Sequence, residues 1–258
     1  SNFTIYDTQD SLRLITLILR DFNIDAKNTK PRMLLSRISS AKNELIDHET
    51  FLSNTQLSAE KDAAIESVIA QVYREYQNRL TIANAFDFDD LIGSTVALMQ
   101  LFPEVANMYR RRFRHIMVDE YQDTNHAQYM LIKELVGTVA ASADSPPPGE
   151  LCVVGDADQS IYAFRGATIR NIEEFERDYP NASTILLEQN YRSTQTILSA
   201  ANAVIAKNTA RRAKNLWTDS GDGDLIKVYV GDDEHDEASF VAREIDRMSD
   251  EGISRPGD

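Results

Sequence analysis

Apolar positions recur every three or four residues over the first third of the chain. Leu12, Leu14, Ile15, Ile18, Leu19 and Phe22 form a wide stripe behind Asp10-Ser11, which predicts a packed helix starting near Asp10. Ile65, Val68, Ile69, Val72, Tyr76 and Leu80 repeat the spacing with charges between them and predict a second. Both stripes read as core-facing, so residues up to about 85 are expected to form a helical module. From about 86 to 183 the pattern changes to short apolar runs alternating with helical stretches, the mark of a parallel sheet. His126 through Val136 reads as a helix, with Asn125 as N-cap and Gly137 at its end. Ala141 through Gly149 reads as a loop, and Ile169 through Tyr179 as a short helix stopped by Pro180. Beyond about 184 the expectation is a strand into Asn190, a helix from Thr194 to about Lys207 and a strand from Ile226 to Val230. An acidic helix from about Glu234 to Met248 follows.

Two apolar runs end abruptly in carboxylates and amides: Ile116-Met117-Val118-Asp119-Glu120-Tyr121-Gln122-Asp123 and Cys152-Val153-Val154-Gly155-Asp156-Ala157-Asp158-Gln159. Each predicts a buried strand that delivers polar side chains to the carboxyl edge of a parallel sheet, where open α/β sheets bind ligands. Adjacent carboxylates at such an edge can divide labour, one holding Mg²⁺ and the other positioning a water. A lone Asp-Glu pair is as readily a solvated pair. Two such strands, followed by Leu186-Leu187-Glu188-Gln189-Asn190-Tyr191-Arg192-Ser193, make a site the stronger reading.

The 258 residues allow one large domain or two smaller ones, and 42% hydrophobic with 26% charged content places the chain among soluble globular proteins. No apolar run approaches a membrane span, and no secretory signal opens the sequence. The single cysteine, Cys152, excludes an internal disulfide, which fits a reducing cytoplasm, and its apolar neighbours make it a small core residue. A net charge of −14 argues against a broad basic nucleic-acid surface but leaves room for a local groove. Arg110, Arg111, Arg112 and Arg114 precede a strand and read as a solvated helix end.

The motifs carry a family resemblance. Val118-Asp119-Glu120-Tyr121-Gln122-Asp123-Thr124-Asn125 resembles motif II, the Walker B box, of superfamily 1A DNA helicases of the UvrD/PcrA/Rep kind. Gly155-Asp156-Ala157-Asp158-Gln159-Ser160-Ile161-Tyr162-Ala163-Phe164-Arg165-Gly166 is similar to their motif III, and Leu187-Glu188-Gln189-Asn190-Tyr191-Arg192-Ser193 to their motif IV. Phe86 through Leu91 and Pro31 through Glu44 are similar to segments flanking the family's accessory domain. No glycine is followed by lysine, so the Gly-x-x-x-x-Gly-Lys-Ser/Thr phosphate cradle is absent from this sequence. The resemblance also stops before motifs V and VI, as expected of an internal fragment of a larger helicase.

This resemblance implies an α/β fold: a partial RecA-like parallel-sheet motor of the P-loop NTPase class with a helical accessory domain. Residues 1–85 would be the accessory domain, 86–183 the remainder of the first motor domain and 184–258 the beginning of the second. ATP and Mg²⁺ are the implied cofactors of the intact protein. Asp119 takes the Mg²⁺ position, Glu120 that of general base, and Gln159 that of γ-phosphate sensor. Arg192 matches the arginine that reaches the γ-phosphate, and Tyr191 the residue that stacks on adenine. Single-stranded DNA and duplex junctions are the implied partners, with movement 3′ to 5′, and the resemblance leaves room for other repair or replication proteins beside them. Tyr162, Phe164 and Arg165 are the candidate base-stacking set. Lys27, Lys30, Arg32, Arg37 and Lys42 are candidates for phosphate contact. Two other readings stay open on sequence grounds: a non-catalytic DNA-binding or interaction module, and the motor part of a recombination helicase–nuclease.

Overall fold

A computed structural model of the chain describes residues 2–25, 29–57, 63–137, 145–160, 175–208 and 214–254. Helix α1 (Thr8–Asp21) begins at an Asp7 cap, whose carboxylate accepts from the N–H groups of Gln9 at 2.7 Å and Asp10 at 2.9 Å. The Asp10 side chain returns to the Asp7 N–H, closing a capping box. Asp10 is therefore the third residue of the helix, and the start read from the sequence falls two residues late. Two aspartates compete for the cap, and the upstream one satisfies two orphan N–H groups at once.

Helices α2 (Pro31–Asn43), α3 (His48–Leu57) and α4 (Ala63–Ile82) follow. The predicted stripes face inward except at one end of each, where Phe22 and Ile65 are exposed. Ile15, Ile18 and Leu19 of α1 pack with Leu34 and Ile38 of α2 and with Ile69, Val72, Tyr73, Tyr76 and Leu80 of α4 in one buried cluster. Strand β1 (Thr4–Ile5) pairs in parallel with β2 (Ala85–Phe86), closing the chain back on its start.

Helix α5 (Phe88–Leu101) opens on an Asp87–Asp90 capping box, and α6 (Pro103–Arg112) leads into β3 (His115–Val118). Helix α7 (His126–Val136) has the expected ends: Asn125 accepts from the Gln128 N–H at 2.9 Å, and Gly137 terminates it at φ 76°, where a side chain would be strained. Strand β4 (Glu150–Val153) pairs in parallel with β3, His115 opposite Glu150 and Val118 opposite Val153. The strands alternate rather than bury both faces. Ile116, Val118, Leu151 and Val153 are half-buried, with α7 against β3, whereas His115, Met117, Glu150 and Cys152 are exposed. Cys152 is thus a surface thiol and not a core residue, because its position in the two-residue period falls on the uncovered face. Arg110 and Arg114 are engaged rather than solvated: Arg110 bonds Glu134 of α7, and Arg114 donates to the Pro147 and Pro148 carbonyls.

The chain divides into two compact units, Ser1–Ala182 and Ser183–Asp258. In the second, α8 (Gln195–Ile205) and α9 (Glu234–Asp250) form as expected. The strand into Asn190 reduces to a single parallel bridge between Gln189 and Trp217. Residues 226–230 form no ladder among the described residues. Tyr229 instead stacks on Phe240 of α9 with ring centroids 4.0 Å apart, while Val228 and Val230 stay exposed. A strand exists only where its N–H and C=O groups find a partner, which sequence alternation alone does not supply. The described residues make a mixed α/β protein, rich in helices, with two short parallel sheets. No described helix is long and apolar enough to cross a membrane.

Candidate functional site

Strand β3 ends at Val118, and the next two side chains are the Asp119 and Glu120 carboxylates, both exposed at the sheet edge. Asp119 Oδ1 accepts from the Glu120 N–H at 2.9 Å, and its second oxygen has no hydrogen bond among the described residues. Glu120 is left-handed, at φ 49° and ψ 43°. That conformation is unfavourable for a residue with a Cβ and marks a backbone held by its surroundings. The hold is visible on the next residue, where the Tyr121 N–H donates to the Val154 carbonyl at 2.9 Å. An open cavity of ≈ 420 Å³ runs from these carboxylates back to Leu131 and Ile132 of α7.

Gln122 lies beneath the pair, 1% exposed. Its Nε2 donates to Glu120 Oε2 at 2.6 Å, and its Oε1 accepts from the Asp156 N–H at 2.9 Å in the loop after β4. Asp156 Oδ2 accepts in turn from Gln159 Nε2 at 2.8 Å, so the exposed Gln159 is joined to the same network. The edges of β3 and β4 are thereby one polar assembly. Among the described residues there is no group of three His, Cys, Asp or Glu side chains arranged as a metal cage. A single outward carboxylate oxygen is the kind of ligand Mg²⁺ takes when substrate phosphates complete its shell.

The UvrD/REP helicase N-terminal domain matches residues 1–180, and the UvrD-like helicase C-terminal domain matches residues 185–255. The chain belongs to the UvrD/REP helicase family. It is 63% identical over 251 residues to the ATP-dependent DNA helicase UvrD1 of Mycobacterium tuberculosis, covering 97% of this chain and 32% of that protein. With the ATP-dependent DNA helicase PcrA of Bacillus subtilis it shares 49% identity over 257 residues, covering 100% of this chain and 33% of that one. The chain spans about a third of the length of the curated relatives it matches.

The other sequence-derived site residues of this UvrD/REP family member are placed as follows. Tyr162, Phe164 and Arg165 lie outside the described residues. In the second unit Tyr191 is 82% exposed, its hydroxyl donating to Gln189 Oε1 at 2.9 Å. Arg192 is exposed, and its backbone N–H donates to Asn190 Oδ1 at 2.9 Å. Arg37 is half-exposed and paired with Glu66 at 2.6 Å. Lys42 is a correction. Its ammonium is buried between Asp87 Oδ2 at 2.7 Å and Asp90 Oδ1 at 2.8 Å, with no surface left for a phosphate. Two carboxylates at the α5 cap need a cation once they leave water, and the lysine of α2 supplies it. Burial pushes the Asp90 carboxyl above its ordinary range, opposed by Lys42. Sequence reasoning also passed over Gln122. Its one signal was an amide embedded among carboxylates directly after a strand.

Proposed function

We propose that this chain is the motif-bearing part of a longer ATP-dependent DNA helicase and single-strand translocase, moving 3′ to 5′ and acting in DNA repair or replication. The names of its relatives support this, and one observation carries it: Asp119 and Glu120 stand side by side at the end of a parallel strand, tied to the polar loop of its neighbour. Residues 1–85 are the accessory domain in this reading, 86–183 part of the first RecA-like motor domain and 184–258 the start of the second. Asp119 would hold Mg²⁺, which supplies charge neutralisation at the β- and γ-phosphate oxygens. Glu120 accepts the proton of the attacking water, and Gln159 senses the γ-phosphate through a neutral amide. Arg192 offers a planar, permanently charged guanidinium to the transferring phosphoryl group, and Tyr191 an exposed ring to adenine. Tyr162, Phe164 and Arg165 stack on and hold the unpaired strand, and Lys30, Arg32 and Arg37 remain basic candidates of the helical module. The test is ATP hydrolysis by the intact helicase with and without single-stranded DNA, alongside unwinding of a duplex with a 3′ tail. Strand-stimulated hydrolysis with unwinding is expected, and hydrolysis indifferent to DNA would contradict the reading.

A further inference from the structure

The Glu120 carboxylate sits exposed on a flexible two-methylene stem, yet a general base has to stay within hydrogen-bond reach of one proton. Something has to choose its rotamer. Gln122 is the only described side chain whose amide donates to it, at 2.6 Å, and it is held rigidly, being 1% exposed. Its second N–H faces Asp123 Oδ2 at 3.5 Å, and its oxygen takes the Asp156 N–H at 2.9 Å. The amide is therefore fixed at both ends, with its orientation set by the backbone donor: Oε1 must face the N–H, which turns Nε2 to Glu120.

Gly155 makes room for this. A Cβ there would lie 2.8 Å from Gln122 Oε1, 3.3 Å from the Gln122 backbone nitrogen and 3.3 Å from Tyr121 Cβ. A methyl would push the amide oxygen away from the Asp156 N–H that holds it. From Asp156 the path continues to Gln159 Nε2 at 2.8 Å. Glu120, Gln122, Asp156 and Gln159 thus form an unbroken hydrogen-bonded line across the two strand edges.

We propose that Gln122 is a positioning residue that sets the Glu120 carboxylate and couples it to the Gln159 loop, with Gly155 kept bare to admit its amide. This rests on the reading of Glu120 as general base. In the intact helicase, Gln122→Met keeps the side-chain length and loses both hydrogen bonds. It should lower kcat by roughly 10²-fold while KM for ATP stays within about threefold, the pattern of a misplaced reacting group. Gly155→Ala should lower kcat in the same direction, and the double variant should be no slower than Gln122→Met alone, because both act through one contact. Wild-type kcat in Gln122→Met and Gly155→Ala, beside an inactive Glu120→Gln, overturns the positioning role and leaves the function standing. Full activity in Glu120→Gln overturns both. Should Gln122→Met fail to fold, the side-chain amide resonance of Gln122 decides in the wild-type chain. It should move on Glu120→Gln, and an unmoved resonance overturns the proposal.

Discussion

Lys42 of α2 and Asp87 at the cap of α5 form an ion pair of 2.7 Å with both side chains less than a tenth exposed. Asp90 completes the pair, and the Tyr76 hydroxyl lies 3.0 Å from Asp87 and 2.9 Å from Ser11. With one proton to give, Tyr76 donates to the carboxylate and accepts from the serine. The cluster joins α1, α2, α4 and α5, so the helical core and the segment leading to the site are packed as one body within the first unit.

Removing the cation should be costly. Lys42→Met leaves two buried carboxylates without a partner, and a loss of about 3–5 kcal/mol is expected for a broken buried pair. Urea unfolding checks it, as a fall in midpoint of about 1 M or more. A midpoint within experimental scatter of wild type, together with weakened DNA binding, would return Lys42 to the surface role read from the sequence.

Acid stability should depend on Asp178. Hydrogen bonds from Lys133 and Tyr129 hold its carboxyl below the ordinary aspartate range. A depressed carboxyl contributes stability that is present above the unfolded value and lost as pH falls through the folded one. The melting temperature of Asp178→Asn should therefore lie below wild type near pH 6, with a gap that starts to narrow only as pH falls below about 4. A gap that does not narrow on acidification would contradict this.

What the sequence made legible was local. The Asn125–Gln128 capping box and the Gly137 stop both depend on residues within one turn of α7, and the α1 and α4 stripes depend only on helical periodicity. Lys42 was misread because charge alone marks a residue for the surface, and its partners lie 45 and 48 positions away. Residues 226–230 alternate like a strand, but no neighbour among the described residues pairs with them. Gln122 became visible only when β4 brought the Asp156 N–H to it.

On its own the 258-residue chain should not hydrolyse ATP. It contains no Gly-Lys step to build a phosphate cradle, and Asp119 cannot orient a triphosphate unaided. Hydrolysis stimulated by DNA and abolished by Glu120→Gln would overturn that expectation.

Tyr162→Ala in the intact helicase should weaken single-strand binding by roughly tenfold or more, since a stacked base is worth about 1–3 kcal/mol. Sequence preference should hardly change. A large fall in melting temperature with unchanged affinity per folded molecule would make Tyr162 a packing residue instead.

If the β3 edge is the hydrolytic centre, as proposed, Glu120→Gln in the intact helicase keeps the side chain's shape and leaves Asp119 in place while removing the proposed base. ATP affinity should stay close to wild type, and single-turnover hydrolysis should fall by about 10²–10⁴-fold. Hydrolysis at the wild-type rate with normal ATP binding would contradict the account.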